Sequence, residues 1–325
     1  MELFVEFKRE STSDPFNDLS KSRRKKSLLK HNDMASAIRG QITLYSTRMQ
    51  MYQFRTCIYS VGIFGEVARL FRWDRAGAIV SEPIKYSVTG NRELSEFFYR
   101  FGLVDDTRRG WDPTVRDANA EETSAFAEAI KTIAEGRNAA LLDSLLESVG
   151  TSNDYPRKKV TLKGRRSYII GRSLVAPKSP TGRATRVFVA MNTNTKKLVC
   201  LKDSWRPDLD EMKPEDEWYG MLKGARNTAA FLHGSDILSP RKQRSGFLQS
   251  TITQNHSRGY CDIQGMMGYI HHRTVQSELY LPLKTFKDSK NLTEIMRDII
   301  LGTCLFCLSN VSPLTPLQRY RILTN

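Results

Sequence analysis

Three short segments in the second half of the chain alternate side chains with a period near two: Arg166-Ser167-Tyr168-Ile169-Ile170, Arg186-Val187-Phe188-Val189-Ala190 and Lys197-Leu198-Val199-Cys200-Leu201-Lys202. Each is rich in β-branched or aromatic residues and too short for a helix, so each reads as a strand. The last two are joined by Asn192-Thr193-Asn194-Thr195, whose side chains favour a tight turn, and this folds the chain back on itself. Pro214 to Lys223 then reads as a helix. Pro214 marks its start, Glu215 to Glu217 suit its positive end, and Trp218 and Leu222 stand four apart. The order is strand, small-residue loop, strand, turn, strand ending in a lysine, and helix opening with a glutamate.

The first half is built differently. Thr56 to Phe64 and Ala68 to Trp73 read as two strands joined at Gly65-Glu66, with a further strand at Ala78-Ile79-Val80. Leu94, Phe97, Phe98 and Phe101 form one apolar stripe at helical spacing, and 118–133 and 139–149 have the same period. Gly150 to Pro156 is a strong breaker, which places a domain boundary there. Residues 1–38, with Lys21-Ser22-Arg23-Arg24-Lys25-Lys26, read as a flexible basic arm whose cluster would suit nuclear import. The expected organisation is therefore a 1–38 arm, a 39–150 α+β region, a 157–301 domain and a 302–325 tail. Residues 224–265 read as loop-rich, Leu279 to Phe286 as a linker and Leu292 to Leu301 as the start of a helix.

Charge is segregated along the chain. Residues 157–206 hold 14 basic side chains and one acidic one, Asp203, and so account for +13 of the net +15. Such a stretch attracts phosphate, on a nucleotide, a nucleic acid or a phosphorylated protein. No apolar run is long enough to span a membrane, and the N-terminus lacks the pattern of a secretory signal. Five cysteines, an odd number, fit free thiols in a reducing compartment, so a cytoplasmic or nuclear location is expected. Cys304 and Cys307 form a CxxC with no second pair nearby, and a structural zinc needs four ligands, so no metal site is expected.

The order of elements around Lys202 is that of the small lobe of a protein kinase. Ser179 to Val187 stands where a glycine-rich loop belongs, with Gly182 retained and Pro180 and Thr185 in the other two glycine registers. Val199-Cys200-Leu201-Lys202 is a version of Val-Ala-Ile-Lys, and Glu215 is the carboxylate able to hold the lysine ammonium. The sequence resembles the fungal-type protein kinases over roughly residues 40–300. The resemblance is carried by Arg69 to Val80, with its Trp-Asp-Arg-Ala-Gly string, by Arg109 to Val115, by Ser179 to Arg186 and by Leu201-Lys202-Asp203-Ser204-Trp205-Arg206-Pro207.

This resemblance implies an α+β fold: an N-terminal mixed α/β region fused to a kinase small lobe that uses ATP and magnesium. By position, Gly182, Thr185 and Val187 would cover the nucleotide and Lys202 would contact its phosphates. Glu215 would pair with Lys202, and Glu278 and Leu279 would offer hinge backbone groups to adenine. Arg273 to Leu283 would supply the last strand and the hinge.

The kinase large lobe leaves no trace. Neither a His-Arg-Asp loop nor an Asp-Phe-Gly occurs in the sequence, and a complete large lobe would need about 150 further residues. The chain is therefore expected to be a truncated kinase with no catalytic or metal-ligating residues, no phosphoryl transfer and poor ATP affinity. The small-lobe face that would meet the large lobe is expected to be an exposed apolar patch or to be covered by the tail.

Two other readings compete. A module binding nucleic acid or phosphoproteins should interleave aromatic platforms with its cations, and Tyr168 and Phe188 are the only rings of 157–206 before Trp205. A pseudokinase scaffold binding a protein partner through the N-terminal region is the other. His271-His272 reads as a strand-edge pair rather than a metal site.

Overall fold

The computed structural model describes residues 1–17, 28–135, 149–150, 155–222, 227–256, 266–279 and 286–308. Its first sheet contains β1 (Phe4–Lys8), β2 (Ile58–Phe64), β3 (Val67–Asp74) and β4 (Gly77–Val80), in that spatial order. β1 runs parallel to β2, and the other pairs are antiparallel. Gly65 turns the chain between β2 and β3 at φ +55°, and a Cβ there would lie 2.5 Å from the backbone nitrogen of Ser11. Only glycine meets both demands.

Helix α1 (Asp33–Tyr52) starts at Asn32, whose side chain accepts the Ala35 N–H at 2.8 Å. Its buried Ile38, Ile42 and Met49 pack with Phe4, Ile58, Phe64 and Phe71 of the sheet. Helix α2 (Glu93–Leu103) lies on the opposite face, where Leu94 and Phe97 meet Val61, Ile63, Ala68 and Ile84. Residues expected to form a flexible arm are thus partly structured. Phe4 is buried under α1, and Asp14 accepts from Arg69 Nε and Nη2 at 3.0 and 2.7 Å. A buried guanidinium needs that carboxylate, which fixes the segment before α1. The basic cluster at 21–26 lies outside the described residues.

The second sheet has seven strands, all antiparallel. They are β5 (Val115–Asp117), β6 (Lys158–Leu162), β7 (Arg166–Val175), β8 (Arg186–Asn192), β9 (Leu198–Pro207), β10 (Phe231–Asp236) and β13 (Tyr269–Gln276). Their spatial order is β10-β13-β9-β8-β7-β6-β5. β11 (Leu238–Gln243) and β12 (Gly246–Leu248) form a separate hairpin. The segment expected to be loop-rich therefore contains β10 to β12. Pairing with β13 satisfies the β10 backbone where the side-chain pattern gave no period. Helix α3 (Ala120–Glu135) packs on the sheet, α4 (Glu215–Met221) follows β9, and α5 (Ser289–Leu308) follows the last strand. The helix expected over 139–149 and the linker 279–286 fall largely outside the described residues.

Strand alternation gives the large sheet two different faces. On one, Tyr168, Ile170, Phe188, Ala190, Leu201 and Val275 form a core against Phe54 and Val115 from the first half of the chain. On the other, Ile169, Val189, Met191 and Leu198 are covered by Phe126 and Ile130 of α3. Helix α3 thereby covers the part of this face formed by β7, β8 and the start of β9. A helix with apolar residues four apart matches a strand face with apolar residues two apart, and this removes the face from water.

Candidate functional site

β9 is an interior strand of the sheet, between β13 and β8, with Lys202 opposite Val187 of β8 and Thr274 of β13. The chain leaves β9 at Pro207 and re-enters helix at Pro214, and α4 sets Glu215 at its first position. Lys202 Nζ donates to both carboxylate oxygens of Glu215, at 2.8 and 2.6 Å, and both residues are buried. Lys202 and Glu215 are thus brought together. Val187 is half-buried on the same face, one strand across.

The loop between β7 and β8 carries Gly182 at φ +87°, with nothing within 4 Å of a Cβ built there, and Ala184 at φ +43°. Two left-handed residues so close together turn the backbone sharply. Thr185 is half-buried just before β8. Glu278 is exposed immediately after β13, and Leu279 packs with the core under α3. These two lie at the opposite end of β13 from its start beside Pro207.

The next residue along β9, Asp203, enters the opposite face and a buried polar cluster. It accepts from Arg186 Nη2 at 2.9 Å and Arg273 Nε at 3.2 Å, and it meets His271 Nε2. Arg273 continues to Asp112 at 2.6 Å and to Thr114 at 2.7 Å, and Gln249 bridges His271 and Asp112. Burial alone would raise the Asp203 carboxyl, yet His271, Arg273 and Arg186 hold it well below the usual carboxylate range. Burial likewise opposes the Asp112 charge, and Arg273 with His271 brings that carboxyl down. Burial pushes the His271 imidazole down despite Asp203 beside it.

A second cluster lies on the Lys202 face. Arg206 makes a two-pronged pair with Asp236 at 2.8 and 2.6 Å, and His272 Nδ1 meets the same carboxylate at 2.8 Å. Arg206 and His272 hold the Asp236 carboxyl at about 2 although burial pushes it up. His271 and His272 are therefore interior strand residues with carboxylate partners, not a strand-edge pair, because β13 is flanked by both β10 and β9. Among the described residues, no group of three or more His, Cys, Asp or Glu is arranged to hold a metal ion. No described helix is long and apolar enough to cross a membrane.

The sequence does not single out Asp112, His271 and Arg273 as parts of this centre. The signals are that Asp112 falls in the Arg109 to Val115 string that carries the resemblance, and that His271-His272-Arg273-Thr274 puts charged residues inside an otherwise strand-like string. Charges rarely sit in the middle of a sheet unless they are paired.

A family model described as Fungal protein kinase matches residues 28–306. Neither a curated protein nor a solved structure matches the chain.

Proposed function

The chain belongs to the fungal protein kinase family, and from that premise we propose that the sheet around Lys202 is the nucleotide-holding half of a kinase cleft. The observation that carries this reading is the buried Lys202–Glu215 pair at 2.8 and 2.6 Å. An ammonium fixed in this way on an interior strand is positioned to meet the α- and β-phosphates of ATP, and the carboxylate keeps it from collapsing elsewhere. Val187 and Cys200 would form the apolar wall against adenine, with the 277–279 backbone at the edge. The loop bearing Gly182 would close over the phosphates. ATP, when bound, supplies the transferable phosphoryl group.

Among the described residues no group of three or more His, Cys, Asp or Glu is arranged to hold a metal ion, and the sequence holds neither the His-Arg-Asp loop nor the Asp-Phe-Gly. Phosphoryl transfer rests on positioning and charge neutralisation by those groups. On this reading these 325 residues hold nucleotide weakly and transfer no phosphate, and the role that fits them is that of a pseudokinase-like nucleotide-holding unit. A fluorescent ATP analogue titrated into the protein tests this: saturable binding lost in Lys202→Met supports the reading, and equal binding by both overturns it.

Nucleic-acid binding comes second, because the rings of the basic segment, Tyr168, Phe188 and Trp205, are buried and offer no stacking platform beside exposed cations such as Lys163, Arg165 and Lys196. Five of the segment's cations are also paired internally. Lys202 pairs with Glu215, Arg186 with Asp203, Arg206 with Asp236, and Lys158 and Lys159 with Asp117 and Glu122. Counterion release needs cations that are free to meet phosphates.

A further inference from the structure

The loop that carries Gly182 is tied to the first half of the chain at its centre. The Gly182 N–H donates to the carbonyl of Arg75 at 2.9 Å, and Arg75 Nη1 donates to the carbonyl of Pro180 at 3.3 Å. One residue thus grips the loop on both sides of Thr181, once through its backbone and once through its side chain. Arg75 lies in the turn between β3 and β4, more than a hundred positions earlier in sequence.

That turn is itself anchored. The Asp74 carboxylate accepts from the Ala76 N–H at 3.0 Å within the turn and from the Ile252 and Thr253 N–H groups at 2.9 and 3.1 Å. Arg72 Nη1 reaches the same carboxylate at 2.8 Å. The turn is therefore a rigid post, held on one side by its own sheet and on the other by the segment before β13. Arg75 is 3% exposed, an unusual setting for an arginine. Burial and the neighbouring Arg186 charge bring it down to about 9 although Asp203 and Asp74 support it. Arg186 and Asp203 share a face of the sheet, and Lys202 is on the other.

We propose that Arg75 is a positioning residue, a latch that holds the Gly182 loop toward the first half of the chain and away from Lys202. This rests on the nucleotide reading for its consequence but not for its existence. A loop that covers phosphates does so with its backbone N–H groups, and the Gly182 N–H is already spent on Arg75. Phosphates at Lys202 must break that hydrogen bond before they receive it. The latch therefore acts on the phosphate end of a nucleotide and not on the adenine end, and what it sets is the ratio of ATP to adenosine affinity.

The test is amide hydrogen exchange at Gly182 together with ATP and adenosine titrations, on the full chain and on Arg75→Met. Methionine matches the length of the stem; it removes the Nη1 bond to the Pro180 carbonyl and keeps the backbone carbonyl that accepts from Gly182, so it loosens the loop by releasing one of its two grips. The Gly182 amide is expected to be protected in the unaltered protein and to exchange about tenfold faster in R75M, with the β9 amides unchanged. ATP affinity should rise several-fold in R75M with adenosine affinity unaltered. A Gly182 amide that exchanges freely in the unaltered protein overturns the latch, and this measurement needs no variant to fold. Equal changes for ATP and adenosine overturn its action on phosphate. If the unaltered protein binds neither ligand, the nucleotide reading fails, and the exchange result still decides the latch.

Discussion

Lys202 and Asp203 are adjacent on β9, yet they serve opposite faces of the sheet: Lys202 reaches Glu215 on α4, and Asp203 reaches Arg186, His271 and Arg273. The strand that presents the candidate phosphate-binding ammonium is thereby anchored from behind by a buried ionic cluster. That cluster includes Asp112 and, through Arg273, Thr114, both from the first half of the chain. The position of Lys202 thus depends on residues about a hundred positions earlier.

Breaking one side of the Lys202 pair should be costly. Glu215→Ala leaves a buried ammonium without its partner, and removing one member of a buried pair costs about 3–5 kcal/mol. Lys202→Met combined with Glu215→Leu should recover most of that stability, because neither charge is then stranded. Urea denaturation of the single and double variants measures the difference. Equal stability of E215A and the unaltered protein would contradict the burial of the pair.

Stability should fall along two separate limbs as the pH drops. The His271 imidazole is held below its ordinary 6.5, so the unfolded chain takes up its proton first. Stability therefore falls as pH drops through 6.5 toward the folded value, by at most about 1.4 kcal/mol per pH unit from this group. The Asp203 carboxyl is held below its ordinary 3.8. Its contribution is complete above 3.8 and is lost as pH falls below it toward the depressed folded value. Urea midpoints across pH 7.5 to 3 should show both limbs, and His271→Gln should flatten the first and also shrink the second, because His271 is one of the groups that hold the Asp203 carboxyl down.

The strands of the large sheet were legible because short alternating runs punctuated by turn residues admit little else: β7, β8 and β9 all begin within a residue of where the pattern begins. Lys202 and Glu215 were legible for the same reason, one ending an apolar run and the other opening a helix. What was not legible depends on distance in sequence. β10 has no clear period, and it exists because β13 offers it a backbone ladder. β1 was hidden because five residues beside a polar segment carry little signal until Phe4 finds α1. The Arg75 grip on 180–182 could not be read at all, since it is made largely of backbone groups.

Helix α3 should contribute through its ring. Phe126 is fully buried among Ile169, Val189 and Met191, with Arg157 over its face at 5.3 Å. Phe126→Ala should cost about 3–5 kcal/mol, the usual range for a truncated buried ring. It should also expose apolar surface on the Lys202 face, read as increased binding of an apolar dye. A loss under 1 kcal/mol would mean that α3 does not cover that face in solution.

Cys200 should be inert in the folded protein. Burial pushes its thiol up to about 12, although Lys202 favours the thiolate. At pH 8 about one molecule in ten thousand then carries the thiolate, the form that attacks alkylating agents. Iodoacetamide followed by peptide mass spectrometry should leave Cys200 unmodified under native conditions and modify it in urea. Rapid native labelling would contradict its place in the sheet interior.

Proximity of Lys202 to nucleotide phosphates can be read directly with an acyl-phosphate derivative of ATP, in which a lysine Nζ attacks the acyl carbonyl, forms an amide and releases ATP. Peptide mass spectrometry should find the acyl group on Lys202, and excess unmodified ATP should suppress it. An unmodified Lys202 beside acylated surface lysines, with a pattern indifferent to added ATP, would contradict the assignment of this face as the nucleotide side of a kinase cleft.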